Sequence, residues 1–106
     1  MNIFKIFFIS LLLMVIFGLF LHGRILKRLE EKHFGTWDEL GKPSLFLNNS
    51  IGNGLNVLTF LFKRKYLKLN DEILAKMCNF EVAFDVFYLL YFISFILLNI
   101  FVLKLK

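Results

Sequence analysis

The sequence predicts an all-α membrane protein in which two transmembrane helices are joined by a basic, partly helical, membrane-proximal connector of ~60 residues. Three observations predict it. Of the 106 residues, 58% are hydrophobic and 18% aromatic, and the mean hydropathy is +0.71. That is more apolar surface than a soluble chain this short can hide, because small domains bury only about 60–70% of what they expose unfolded. The apolar residues are also concentrated in two terminal runs, each close to the roughly 20 residues a membrane-crossing helix needs. Finally, ten of the thirteen Lys and Arg residues lie from Arg24 to Lys76, leaving only Lys5, Lys104 and Lys106 for the tails.

The first span covers residues 3–21, where only Lys5, Ser10, Met14 and Gly18 depart from Leu, Ile, Phe and Val. Fifteen strongly apolar residues at roughly −0.3 to −0.6 kcal/mol each favour insertion by several kcal/mol, even with Lys5 reaching back to the headgroups. A cleaved signal peptide is the rival reading. The run ends in Leu21-His22-Gly23-Arg24, without a small-x-small cleavage site, and this favours a retained helix. The second span covers residues 82–103, with sixteen Leu, Ile, Phe or Val among its twenty-two positions. Asp85 falls in its first turn, Tyr88 and Tyr91 suit an interfacial aromatic belt, and Ser94 and Asn99 are the polar residues deeper in. The whole chain, residues 1–106, then forms one membrane domain.

The connector, residues 22–81, holds ten basic and seven acidic residues, a net charge of +3. By the positive-inside rule it lies in the cytoplasm, with both termini outside. Residues 24–34 continue the first helix, with Ile25, Leu26 and Leu29 apolar among six charges, and Gly35 is expected to end it. From Thr36 to Gly54 the chain is dense in Gly, Asn, Ser and Pro and reads as irregular. An amphipathic basic helix is expected over about residues 54–69. Its stripe of Leu55, Leu58, Phe62, Tyr66 and Leu69 falls within about 80° on a helical wheel, with Lys63, Arg64 and Lys68 pointing away. Asn70-Asp71-Glu72 then suits a cap and a negative first turn leading into the second helix.

Chemistry is thinly represented. His22, His33 and Cys78 lack metal-ligand spacing, a single cysteine forbids an internal disulfide, and the acids come without a nucleophile or a Gly-rich phosphate loop. No catalytic, cofactor or metal site is therefore expected, and an enzyme is not. The basic cluster Lys63-Arg64-Lys65, adjoining Tyr66, suits anionic lipid headgroups rather than nucleic acid. The stretch containing Trp37, Gly41 and Pro43, followed by Asn49-Ser50, suits an ordered turn that docks on the helices or on a partner protein. These eight residues, Trp37, Gly41, Pro43, Asn49, Lys63, Arg64, Lys65 and Tyr66, are the candidate lipid- or partner-binding set.

With this two-span layout, Lys65-Tyr66 followed by Asp71-Glu72, Lys76 and Cys78, and the turn from Trp37 to Pro43, the chain resembles the universal stress protein B-like family of small bacterial two-span membrane proteins. The resemblance implies a bacterial inner-membrane location and a link to stress or stationary phase, and supplies no catalytic residues. The expected function is that of a non-enzymatic inner-membrane protein acting through contacts of its connector with anionic lipid and with a membrane or cytoplasmic partner protein, homo-oligomerisation included. An accessory subunit of a membrane complex and a holin-like pore former are the alternatives.

Overall fold

The computed structural model describes residues 2–44 and 50–105, and every regular element in them is helical. Helix α1 runs from Ile3 to Lys32 and is followed by a short α2 (Phe34–Glu39), then α3 (Ile51–Phe62), a 3-10 turn (Lys65–Leu69) and α4 (Glu72–Leu105). Both α1, with 30 residues, and α4, with 34, are long and apolar enough to cross a membrane. At 1.5 Å per residue they measure about 45 and 51 Å, against a hydrocarbon layer of about 30 Å. Each therefore projects beyond the apolar run that the sequence marks, and the projecting ends support the connector.

The two long helices form an antiparallel hairpin. Its rungs are Phe7 with Phe95 at 5.0 Å between ring centroids, Phe7 with Tyr91 at 4.5 Å, and Phe17 with Phe84 at 5.3 Å. The Tyr91 hydroxyl lies 2.7 Å from Ser10 Oγ, which itself donates to the Phe7 carbonyl. Gly18 permits close approach at mid-hairpin: a Cβ there would lie 3.1 Å from the Phe84 ring. The remaining span surface is apolar on all sides and largely exposed, as a helix surrounded by lipid requires.

Beyond the spans, the connector folds onto the projecting ends and closes a small head. Ile25, Leu26 and Leu29 of α1 and Leu74 and Cys78 of α4 pack with Leu40, Val57, Phe60, Leu61 and Tyr66 from the connector. Leu61, Leu74, Tyr66 and Cys78 are each 1% exposed or less. This is a true core, continuous with the hairpin through Leu21 and Val82, which pack partly against it, and built largely from residues that a hydropathy profile assigns to a loop.

Several boundaries differ from the sequence reading. Helix α1 stops at Lys32, two residues short of Phe34, because His33 leaves the helical region at φ −138° and ψ 57°. Gly35 therefore lies inside α2 rather than ending α1, and the stretch from Thr36 to Gly54 is helical at both ends. Helix α3 starts earlier, at Ile51, where the Ser50 hydroxyl accepts from the Asn53 amide and caps it. It also ends at Phe62, so no continuous helix spans 54–69. Arg64 takes the left-handed conformation, φ 55°, and the chain re-enters as a 3-10 turn. At the start of α4 the cap is Asp71, whose Oδ1 accepts from the Leu74 amide, while Asn70 turns the chain at φ 53°.

Candidate lipid- and partner-facing surface

Helix α3 divides its apolar residues between two faces. Val57, Phe60 and Leu61 enter the head core, while Ile51, Leu55, Leu58 and Phe62 are 85%, 57%, 49% and 49% exposed. At about 100° per residue the exposed four fall within roughly 60°, opposite the buried three. Helix α3 thus has apolar residues on both sides, one packed into the head and one exposed among the described residues. Ile51, Leu55 and Leu58 also line a groove of about 350 Å³ together with His22, at the end of the first apolar run. The open stripe therefore lies level with the end of the first apolar run of α1.

Two of the residues placed on that stripe by their spacing belong elsewhere. Tyr66 is 1% exposed, its ring packs 6.0 Å from Phe60, and its hydroxyl donates to Asn79 Oδ1 at 2.5 Å. Leu69 packs partly against the same core. The break at Lys63-Arg64 causes both changes by rotating the chain off the α3 wheel. Lys63, Arg64 and Lys65 are exposed around this break. The Arg64 guanidinium reaches Asn79 at 3.3 Å, and Lys65 joins Lys68, Thr36 and Glu39 around a cleft of about 440 Å³.

Trp37, Gly41 and Pro43 are brought together by the end of α2. The Gly41 amide donates to Asp38 O and the Lys42 amide to Trp37 O, both at 3.0 Å, closing the helix with Gly41 at φ 95°. Any Cβ at Gly41 would collide with the Asn53 carboxamide, whose Nδ2 donates to the Gly41 carbonyl at 3.2 Å. Trp37 Nε1 donates to the Pro43 carbonyl at 3.0 Å, and the indole lies 5.3 Å from the Phe34 ring. Asn49, the remaining residue of the set, lies outside the described residues.

Polar groups join the head to the hairpin at two points. Asp71 receives Arg28 through Nε and Nη2, each at 2.9 Å, and His33 Nε2 at 2.8 Å, besides capping α4. The Arg28 guanidinium, the Leu74 amide and the His33 imidazole together hold the Asp71 carboxyl well below the usual carboxylate range, against a smaller opposing effect of burial. The second point was missed by sequence reasoning. Glu81, 3% exposed, accepts from His22 Nδ1 at 2.5 Å, and its Oε2 has no hydrogen-bond partner among the described residues. The available signal was positional: His22 closes the first apolar run and Glu81 immediately precedes the second, so an antiparallel hairpin must bring them level.

Burial, with Glu81 and Asp71 nearby, pushes the Cys78 thiol up to about 12, which makes it inert. Among the described residues no group of three or more His, Cys, Asp or Glu converges for a metal ion. His22 and His33 are each occupied by a different carboxylate. The fold and surface define a helical hairpin, with two helices suited to crossing a membrane, carrying a small packed head. In comparisons with known proteins, no family model, curated protein or solved structure matches the chain.

Proposed function

We propose that this is a non-enzymatic, two-span bacterial inner-membrane protein whose cytoplasmic head rests on anionic lipid and presents a surface to a partner protein. The observation that carries the reading is the α3 stripe of Ile51, Leu55, Leu58 and Phe62, exposed at the level of His22 and followed at once by exposed Lys63, Arg64 and Lys65. An apolar stripe beside cations is what an interfacial helix uses: the stripe enters the headgroup boundary, and each Lys or Arg near an anionic surface adds about 1 kcal/mol. The turn of Trp37, Gly41 and Pro43, held by four hydrogen bonds of 3.0–3.2 Å, is the rigid feature of the head available to a partner. The stress association implied by the family resemblance suits such a role, in which contacts rather than chemistry carry the signal.

A polarity-sensitive fluorophore on Leu58→Cys, in a full-length Cys78→Ser background reconstituted into phosphatidylglycerol vesicles, tests the lipid contact. The expected outcome is blue-shifted emission quenched by spin-labelled lipid, weakened when Lys63, Arg64, Lys65 and Lys68 are changed to Gln. Emission as water-like as that from a probe on exposed Lys76→Cys would sink the reading. For orientation, Asn49→Cys in the same background should resist an impermeant thiol reagent in intact cells and react after permeabilisation. Labelling of intact cells would place the head outside.

A further inference from the structure

The clearest anion-attracting feature lies away from Lys63–Lys68, along the first turns of α1 beyond the span. Phe20, Arg24, Lys27, Arg28, Glu31 and Lys32 follow at helical spacing and share one side of α1, bordering a groove of about 400 Å³. That volume is within the range of small-ligand sites. Arg28 is paired with Asp71, which leaves Arg24, Lys27 and Lys32 facing one carboxylate here, and that carboxylate is only loosely engaged: Glu31 lies 4.0 Å from Lys27, with both side chains more than half exposed. Arg28 is held in place by its two bonds to Asp71, so one side of the groove is fixed by the head. Arg24 is held at the membrane boundary, its guanidinium carbon 5.8 Å from the centre of the Phe20 ring. Ile73 of α4, 58% exposed, and Met77 supply an apolar wall.

We infer that this groove is a binding site for the phosphate of an anionic phospholipid. The inference rests on the reading that residues 3–21 and 82–103 lie in the membrane. Charge complementarity selects a phosphate, and position selects a lipid as its carrier. Phe20 is 62% exposed in the last turn of the first apolar run, where a bilayer places its glycerol backbones, and Arg24 to Lys32 rise from it toward the headgroups. Arg24 supplies a planar donor fork suited to phosphate oxygens, Lys27 and Lys32 supply point charges, and Ile73 and Met77 cover the apolar side of the glycerol. A free anion would gain nothing from Phe20, Ile73 or Met77.

The test is native mass spectrometry of the full-length, delipidated protein in non-ionic detergent, titrated with phosphatidylglycerol, phosphatidylcholine or soluble glycerol 3-phosphate. The expected result is one phosphatidylglycerol per chain, half-saturating at least roughly tenfold below phosphatidylcholine, with no adduct from glycerol 3-phosphate. Changing Arg24, Lys27 and Lys32 together to Gln should raise the phosphatidylglycerol midpoint by at least roughly tenfold, while changing Lys76, exposed outside the groove, to Gln shifts it less than about twofold. Equal loss in both variants, no loss in the first, or equal binding of the two lipids would overturn the site. Glycerol 3-phosphate binding as tightly as phosphatidylglycerol would overturn the lipid as carrier. If the triple variant does not fold by circular dichroism, Arg24→Lys retaining the lipid and Arg24→Gln losing it gives the same decision, and equal behaviour of the two overturns the site. The Leu58 probe is independent of these residues, so failure of the groove and failure of the α3 contact are separable.

Discussion

Single residues fix how the head is joined. Asp71 accepts from Arg28, His33 and the Leu74 amide at once, and these partners favour its ionised form. A carboxyl whose folded pKa is depressed contributes stability that is complete above its unfolded pKa of about 4 and is lost as pH falls through the folded value. The melting midpoint of the head, followed by circular dichroism in micelles, should therefore decline below about pH 4, and Asp71→Asn should be less stable at neutral pH and lose part of that decline. Asp71-Glu72 was legible as a helix start. Its long-range partners were not, since Arg28 and Asp71 are 43 positions apart and no local pattern links them. In the sequence Glu81 counts only among the connector's seven acids, and pairing with His22 is what singles it out.

At the scale of elements, the break after α3 decides which side chains stay on the exposed stripe and which enter the head core. Arg64 at φ 55° strains an L-residue by roughly 1 kcal/mol that glycine would not incur. Arg64→Gly should hold or raise the melting midpoint, whereas β-branched Arg64→Val should lower stability by about 1–2 kcal/mol, as thermal unfolding would show. The two faces of α3 predict an equally sharp contrast. Leu61→Ala opens a cavity in the head and should cost about 2–5 kcal/mol, while exposed Leu58→Ala should stay within about 0.5 kcal/mol and weaken vesicle association instead. Comparable destabilisation by the two would show that both faces are packed. The 3.6-residue period pointed to a helix here but could not choose its buried side, because α3 is apolar on both.

For the whole molecule, the His22–Glu81 pair joins the two long helices where they leave their apolar runs. Removing one partner of a buried pair leaves an uncompensated group and typically costs about 3–5 kcal/mol, whereas replacing the pair by apolar residues is far milder. His22→Ala should therefore lower the thermal midpoint of the hairpin strongly, and the double variant His22→Leu with Glu81→Leu should recover most of the loss. A double variant as unstable as His22→Ala would mean that the pair does more than hold the helices together.

The sequence by itself determined the two apolar runs that α1 and α4 contain and the concentration of charge between them, because hydropathy and charge are summed locally and need no knowledge of contacts. It also marked Gly41 and Pro43 as a turn, since backbone conformation at those residues is a local property. Only the tertiary structure decided that the connector is a folded head, that Tyr66 and Cys78 are core, that Arg28, His33 and Asp71 meet, and that Glu81 has a partner. Each of these depends on which surfaces two antiparallel helices leave open once packed, and burial and pairing of that kind arise from distant segments meeting.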